Sequence, residues 1–216
     1  VKMTRNTRTK QFKKEIQEEY CLYLIEEYKK PYINKKGIQD LFYDNFEHIY
    51  DNEELVEEAD ELGLIEWGGY YPAYIDSGYI KLGLSIHDNL KIEWIDKYSN
   101  KGWTWYAISW NKNLELSWLE KYPNKEWNWH NIAVNKNLQI EWIDKYPTKL
   151  CWNGLSMNQN LKIEWIDKYP NKEWAWNLIS CNPNLQLEWI EKYYNGSDDN
   201  YDWDWGRISR NPNFEF

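Results

Sequence analysis

Cysteine is nearly absent: Cys21, Cys151 and Cys181 are an odd number at unrelated spacings, which provides neither a disulfide framework nor a CxxC metal motif. Reduced thiols are therefore expected. Histidine is as sparse. His48, His87 and His130 stand far apart, with no second ligand type at metal-binding spacing, so no zinc, iron or other cofactor is expected. No run reaches the roughly 18 apolar residues of a membrane span, and the charged amino terminus lacks the apolar core of a secretory signal. A soluble chain without membrane contact is expected. A nucleophile elbow, a phosphate loop and a catalytic triad pattern are missing too, which points away from an enzyme.

A basic excess is also lacking. The net charge of −9 weighs against a phosphate-tracking surface over the whole molecule, because nucleic-acid affinity rests on clustered Lys and Arg that release counterions. The average conceals an asymmetry. Residues 1–14 carry Lys2, Arg5, Arg8, Lys10, Lys13 and Lys14 with no acid, whereas 44–66 carry ten carboxylates and no Lys or Arg. The basic run reads either as a solvated, partly disordered terminus or as a tail that touches nucleic acid, an acidic partner or an anionic membrane surface.

What is abundant is aromatic: 16 Trp and 18 Tyr bring the aromatic share to 18%, well above ordinary globular usage. Such side chains bury large areas with few rotamers to freeze, so short elements that carry them are stabilised by packing. These residues recur. NLKIEWIDKYSNKGWTWYAISW starts at Asn89, and matching segments start at Asn113, Asn137, Asn160 and Asn184, at separations of 24, 24, 23 and 24 residues. A further separation of 29 leads to Asn213, with an insertion around Asn195–Asn200. Upstream, Tyr79, Leu84, Ser85 and Asn89 read as a degenerate half-repeat that caps the array.

Within a copy, a step of about 100° per residue gathers Ile92, Trp94, Ile95 and Tyr98 on one arc, with Glu93, Asp96 and Lys97 opposite. This predicts a two-turn amphipathic helix, with Leu90 stapled ahead of it and Pro123, Pro147 or Pro170 ending it in later copies. A second short helix is expected to open at an Asn such as Asn124 or Asn171, with Trp127, Trp129, Ile132 and Ala133 as its apolar positions. Helices this short are unstable alone, so the copies must stack, which makes an α-solenoid. The alternative is a leucine-rich-repeat-like α/β solenoid with a strand through Leu90, Ile92 and Trp94. Adjacent apolar Trp94 and Ile95 argue against it, since a strand would send them to opposite faces.

Residues 11–30 carry Phe12, Ile16, Tyr20, Tyr23 and Leu24 at helical spacing and stop before Pro31. Further helices are expected over 38–49 and 53–62, and the Gly- and Tyr-rich stretch 68–83 reads as an irregular joint. The organisation is a helical region at 1–78 followed by tandem tryptophan-rich repeats at 79–216.

Candidate sites follow from what varies. The Trp ladder is expected to be core because it keeps the repeat period, and Leu150 in place of the first Trp fits a core better than a stacking platform. Paired Asn residues between copies, such as Asn135 with Asn137, are expected to bond backbone at turns. Glu93 with Lys97, Glu141 with Lys145, Glu164 with Lys168 and Glu188 with Lys192 are expected as i,i+4 surface pairs. Specificity should reside where the copies disagree, on the second helix. The binding candidates are Tyr106, Ala107, His130, Asn131, Asn153, Asn177 and Arg207, together with Gly154, Leu178 and Gly206.

The pattern Asn-x-Asn-Leu-x-Ile-Glu-Trp-Ile-x-Lys-Tyr-Pro-x-Lys-x-Trp-x-Trp-x-x-Ile-Ser, read from Asn89 to Ser209, resembles repeats found in many copies in uncharacterised proteins of giant DNA viruses. The Lys, Asn, Ile and Tyr bias is similar to that of their AT-rich genomes. The resemblance covers about 130 residues and implies no activity. It implies a setting in infected-cell cytoplasm or a virion. The reading is a non-enzymatic protein–protein interaction module, an adaptor or scaffold in a viral complex. A structural virion component, or a nucleic-acid-associated protein acting through the basic tail, is the alternative.

Overall fold

A computed structural model describes residues 5–31, 34–68, 83–194 and 202–214. These residues form thirteen α-helices and one 3₁₀ turn, and among them there is no strand. The chain is an all-α repeat solenoid behind a helical amino-terminal region. The leucine-rich alternative fails for the reason the sequence offered, since Trp94 and Ile95 are both buried, as one helix face allows and one strand face does not. By internal packing the chain divides into two compact units, Val1–Ala107 and Ile108–Phe216. The boundary expected at 78/79, along with Tyr79 and the stretch 69–82, lies outside the described residues.

Unit 1 begins with α1 (Arg5–Tyr28), α2 (Lys35–Ile49) and α3 (Glu53–Glu61). Helix α1 starts several residues before the expected position 11. The terminus expected as a disordered tail is thus helical from Arg5, and Arg5, Arg8, Lys10, Lys13 and Lys14 belong to α1, while Lys2 lies outside the described residues. Lys14 pairs with Glu18 one turn on, at 3.8 Å. Asn34 and Asn52 cap α2 and α3 by accepting from the N–H of Gly37 and Leu55, the usual remedy for unpaired donors at a helix start. Helix α3 ends on Gly63 at φ +70, with the Leu64 N–H returning to the Ala59 carbonyl at 2.9 Å. That left-handed turn favours glycine. The α1 residues Cys21, Leu24, Ile25 and Tyr28 and the α2 residues Phe42, Tyr43, Phe46 and Ile49 form the core of this region.

The 3₁₀ turn Leu84–Ile86 and helix α4 (Ile92–Lys97) complete unit 1. The 3₁₀ turn is the second helix of the degenerate half-repeat, shortened to a single turn. Phe46 sits edge-on to Trp94 at 4.8 Å and to Trp67 at 6.1 Å, and Trp67 contacts Tyr98 and Trp103 at 5.1 and 5.2 Å. The Tyr98 hydroxyl donates to the Tyr50 carbonyl at 2.6 Å. The first repeat therefore shares one aromatic core with the residues before it.

Unit 2 holds the later copies. Their first helices are α6 (Leu116–Lys121), α8 (Ile140–Lys145), α10 (Ile163–Lys168) and α12 (Leu187–Tyr193). Their second helices are α7 (Trp129–Val134), α9 (Trp152–Met157), α11 (Trp176–Ile179) and α13 (Trp205–Ile208), and α5 (Trp105–Trp110) precedes them. Each first helix turns its Trp and the next residue inward: Trp118 and Leu119, Trp142 and Ile143, Trp165 and Ile166, Trp189 and Ile190 are all buried. The prolines following Tyr122, Tyr146 and Tyr169 stand where those helices have ended.

The second helix opens later than expected. Asn124 and Asn171 lie in turns, and the cap of α7 is Asn128, whose side chain accepts from the Asn131 N–H at 2.8 Å. Trp127 precedes the helix because its indole has another task. The Nε1 groups of Trp103, Trp127 and Trp174 donate to the Tyr98, Tyr122 and Tyr169 carbonyls at 2.8, 2.9 and 2.9 Å, closing the turn between the two helices. Leu150 has no indole, and in this copy, shorter by one residue, its backbone N–H takes the Tyr146 carbonyl at 3.2 Å instead.

Candidate functional site

The outward face depends on an inner ladder that ties each copy to the one before it. After every second helix comes an Asn-x-Asn turn, and the first Asn is buried at positions 111, 135, 158, 182 and 211. The Nδ2 of Asn135 donates to the carbonyls of Ser109 and Asn111 at 3.2 and 3.0 Å, and that of Asn158 to Ala133 and Asn135 at 2.6 and 3.1 Å. Asn182 does the same to Ser156 and Asn158 at 2.9 and 3.0 Å, and Asn211 to Ser180 and Asn182. The Oδ1 atoms of these residues accept from the backbone N–H of the second Asn in their own turn. The second Asn, at 137, 160, 184 and 213, reaches back to two further carbonyls. An amide serves here because it alone offers two donors and an acceptor without charge. The expected backbone role of these residues is thus observed, and it extends across copies as well as within the turn.

A serine row, not anticipated from the sequence, repeats the logic. The Oγ atoms of Ser85, Ser109, Ser156 and Ser180 accept from the N–H of Thr104, Asn128, Ala175 and Asp204 at 2.9–3.0 Å. Its signal was available, since Ser recurs at one register. Ala133 breaks the row. In exchange, Gly154 lies so close to it that a Cβ there would stand 2.8 Å from the Ala133 Cβ.

Rings also join copies. Trp129, Trp152 and Trp176 contact Tyr146, Tyr169 and Tyr193 at 5.1, 5.5 and 5.0 Å. Lys149 and Lys172 lie over Trp129 and Trp152 at 5.1 and 5.4 Å, a cation–π arrangement. The charged residues form a row across copies, and not the expected i,i+4 pairs. Lys145 meets Glu120, Lys168 meets Asp144 at 2.5 Å, and Lys192 meets Asp167 at 2.5 Å, while Lys97 in unit 1 turns to Asp51 and Glu53 at 3.5 Å. Stacking brings the neighbouring acid to the lysine, so Glu93, Glu141, Glu164 and Glu188 stay on the exposed side. The carboxyls of Asp144 and Asp167 are held below the usual carboxylate value by their lysines first and by the hydroxyls of Tyr169 and Tyr193 second. Burial and Asp144 push the Tyr169 phenol up to about 12.

The residues chosen from the sequence divide by exposure. Tyr106, His130, Asn153, Asn177 and Arg207 are exposed, and Gly206 with them. Ala107 and Asn131 are 2% and 6% exposed, and Gly154 is buried. Those three positions correct the expectation: the second residue after the helix-opening Trp is buried there, and Gly154 packs against Ala133 and His130 of the preceding copy. Leu178 is half-buried. Arg207 pairs with Asp204 at 3.1 Å.

No cluster of three or more potential metal ligands occurs among the described residues. The Cys21 thiol, buried in unit 1, is pushed up to about 12 by burial first and by Glu18 second, far from the range in which a thiolate attacks at neutral pH. No helix among those residues is long and apolar enough to cross a membrane. Compared with known proteins, the chain matches no family model, no curated protein and no solved structure.

Proposed function

We propose that this chain is a non-enzymatic protein-interaction module that recognises a partner protein with the outer face of its second helices, as an adaptor or scaffold subunit. The observation that carries this reading is that the position after the helix-opening Trp of the second helix is exposed in every copy and varies between copies, while the apolar pair of each first helix is buried and nearly constant. The position after the helix-opening Trp reads Tyr106, His130, Asn153, Asn177 and Gly206, all exposed, whereas the Trp and Ile or Leu of the first helices stay buried in every copy. A fixed interior with a changing surface is what a stacked array offers a binding partner, and it offers little to catalysis, which needs groups in differing environments. The repeat resemblance supports an infected-cell or virion setting.

The test is affinity capture with the full chain against a variant carrying His130→Ala, Asn153→Ala, Asn177→Ala and Arg207→Ala, followed by mass spectrometry. The reading expects a defined set of proteins to be retained by the first and lost from the second. Identical retention by both would remove the second-helix face from consideration.

A further inference from the structure

Helices α5, α7 and α9 end on Trp110, Val134 and Met157, and these three side chains share one groove of about 460 Å³. Trp110 and Met157 are 46% and 42% exposed, although the Trp and Ile or Leu of the neighbouring first helices are covered, and an exposed apolar patch of this kind marks an interaction site. Lys112, Lys136 and Gln159, the middle residues of the Asn-x-Asn turns, line the same groove, and no carboxylate does. In a chain of net charge −9, a lining with two lysines and no acid is a local reversal of sign. These residues lie at i,i+4 from His130 and Asn153 on α7 and α9, so the groove continues the face described above.

We propose that this groove binds an extended acidic segment of a partner protein, in polyproline-type conformation, with an apolar side chain at every third position. The inference rests on the interaction reading and narrows it. Neighbouring packed helices lie about 8–10 Å apart, and α7 packs on α9. A polyproline helix rises about 3.1 Å per residue with three residues per turn, so it repeats a side chain along one edge about every 9 Å. A β-strand repeats a face about every 7 Å and falls out of step by the second copy. An apolar edge of the peptide thus meets Trp110, Val134 and Met157 in turn, and its carboxylates run beside Lys112 and Lys136. The ladder fixes this spacing before any partner arrives, because Asn135 spends its amide on the Ser109 and Asn111 carbonyls and Asn158 on those of Ala133 and Asn135. A site already ordered loses less entropy on binding.

A single-stranded nucleic acid also uses aromatic and basic side chains, but it needs a ring for each base. This floor offers one indole followed by two aliphatic side chains.

The experiment is fluorescence anisotropy of the full chain with a labelled peptide of four Leu-Pro-Glu units. The comparison probes are four Leu-Pro-Lys units, the acidic composition in shuffled order, and a labelled oligothymidine. The acidic peptide is expected to bind saturably and more weakly as ionic strength rises. Lys136→Glu and Met157→Glu are each expected to weaken it about tenfold or more, while Glu188→Gln leaves it unchanged. Lys136 is exposed on a turn, so that variant retains the fold even if Met157→Glu does not, and circular dichroism checks both. Equal binding of the basic or shuffled peptide, preference for oligothymidine, or indifference to Lys136→Glu overturns the proposal. If the second-helix variant loses its captured partners yet the acidic peptide fails to bind, the interaction reading stands and the peptide chemistry falls. If neither responds, both fall.

Discussion

The two units reach stability by different routes. In unit 1 the contacts around α1 to α3 occur once: Phe46 against Trp94 and Trp67, Tyr98 on the Tyr50 carbonyl, Gly63 at the end of α3. In unit 2 the same few contacts are made again in each copy, by a buried Asn to two carbonyls, a Ser to an N–H, a Tyr against a Trp and a Lys to the preceding acid. A unique core concentrates the consequence of a lesion, whereas a periodic one confines it to the neighbouring interfaces. That periodic interior is also what frees the outer positions to vary, which links the packing to the proposed role.

The sharpest way to break the comparison is Phe46→Ala. It removes a ring that contacts Phe42, Trp67, Trp94 and Tyr98 and should cost about 4 kcal/mol, with the loss of unit 1 as a whole in urea unfolding followed by circular dichroism. Asn158→Ala comes next. It deletes two donations and one acceptance at a fully buried site, and should cost about 2–3 kcal/mol with the effect centred on the interface between the copies that start at Asn113 and Asn137. Asn158→Asp, which sets a carboxylate against two carbonyls, should be worse than Ala; equal effects would mean that the amide donors carry little.

Gly63→Ala tests a unique contact of lower cost. Nothing lies within 4 Å of the added Cβ, so the expected loss of about 1 kcal/mol comes from the left-handed backbone alone. The outer ion-pair row should matter least. Lys168→Ala should cost no more than about 0.5 kcal/mol. Because Asp144 and Asp167 have folded-state values depressed below the ordinary 3.8, their contribution is present above that value and fades as pH falls through the folded one. Acid titration of stability in Asp144→Asn should therefore show a slightly flatter decline below pH 4 than the parent chain.

The fold was largely legible in the sequence because two signals agreed: the helical arc of Ile92, Trp94, Ile95 and Tyr98, and a constant spacing between Asn residues. The extents of α2 and α3 were legible from local periodicity in the same way. What periodicity does not contain is which copies touch at which atoms. Asn135 was readable as a turn residue, but its reach to Ser109 follows only once copies stack. Lys145 has an acid four residues earlier and another 25 residues earlier, and sequence spacing alone favours the wrong one. The start of α7 was misplaced because Asn124 and Asn128 are equally good caps by type; the indole bond of Trp127 decides between them. For the candidate face, variability identified His130, Asn153 and Asn177, yet it also selected Ala107 and Asn131, which are buried, since variation between copies does not separate a covered position from an exposed one. The groove at Trp110 and Met157 was missed because the last residue of each second helix looks like core in a one-dimensional pattern.

Amide hydrogen exchange on the parent chain and on Asn158→Ala tests the central claim most directly. A copy-to-copy ladder predicts strong protection of the Asn137, Asn160 and Asn184 N–H groups, each bonded to a buried Asn. In the variant, protection should fall at Asn160 and fade over the adjoining copies, while the Glu66 N–H, bonded to the Tyr43 hydroxyl in unit 1, keeps its rate. A uniform loss over the whole chain, or no protection of those Asn amides at the outset, would contradict it.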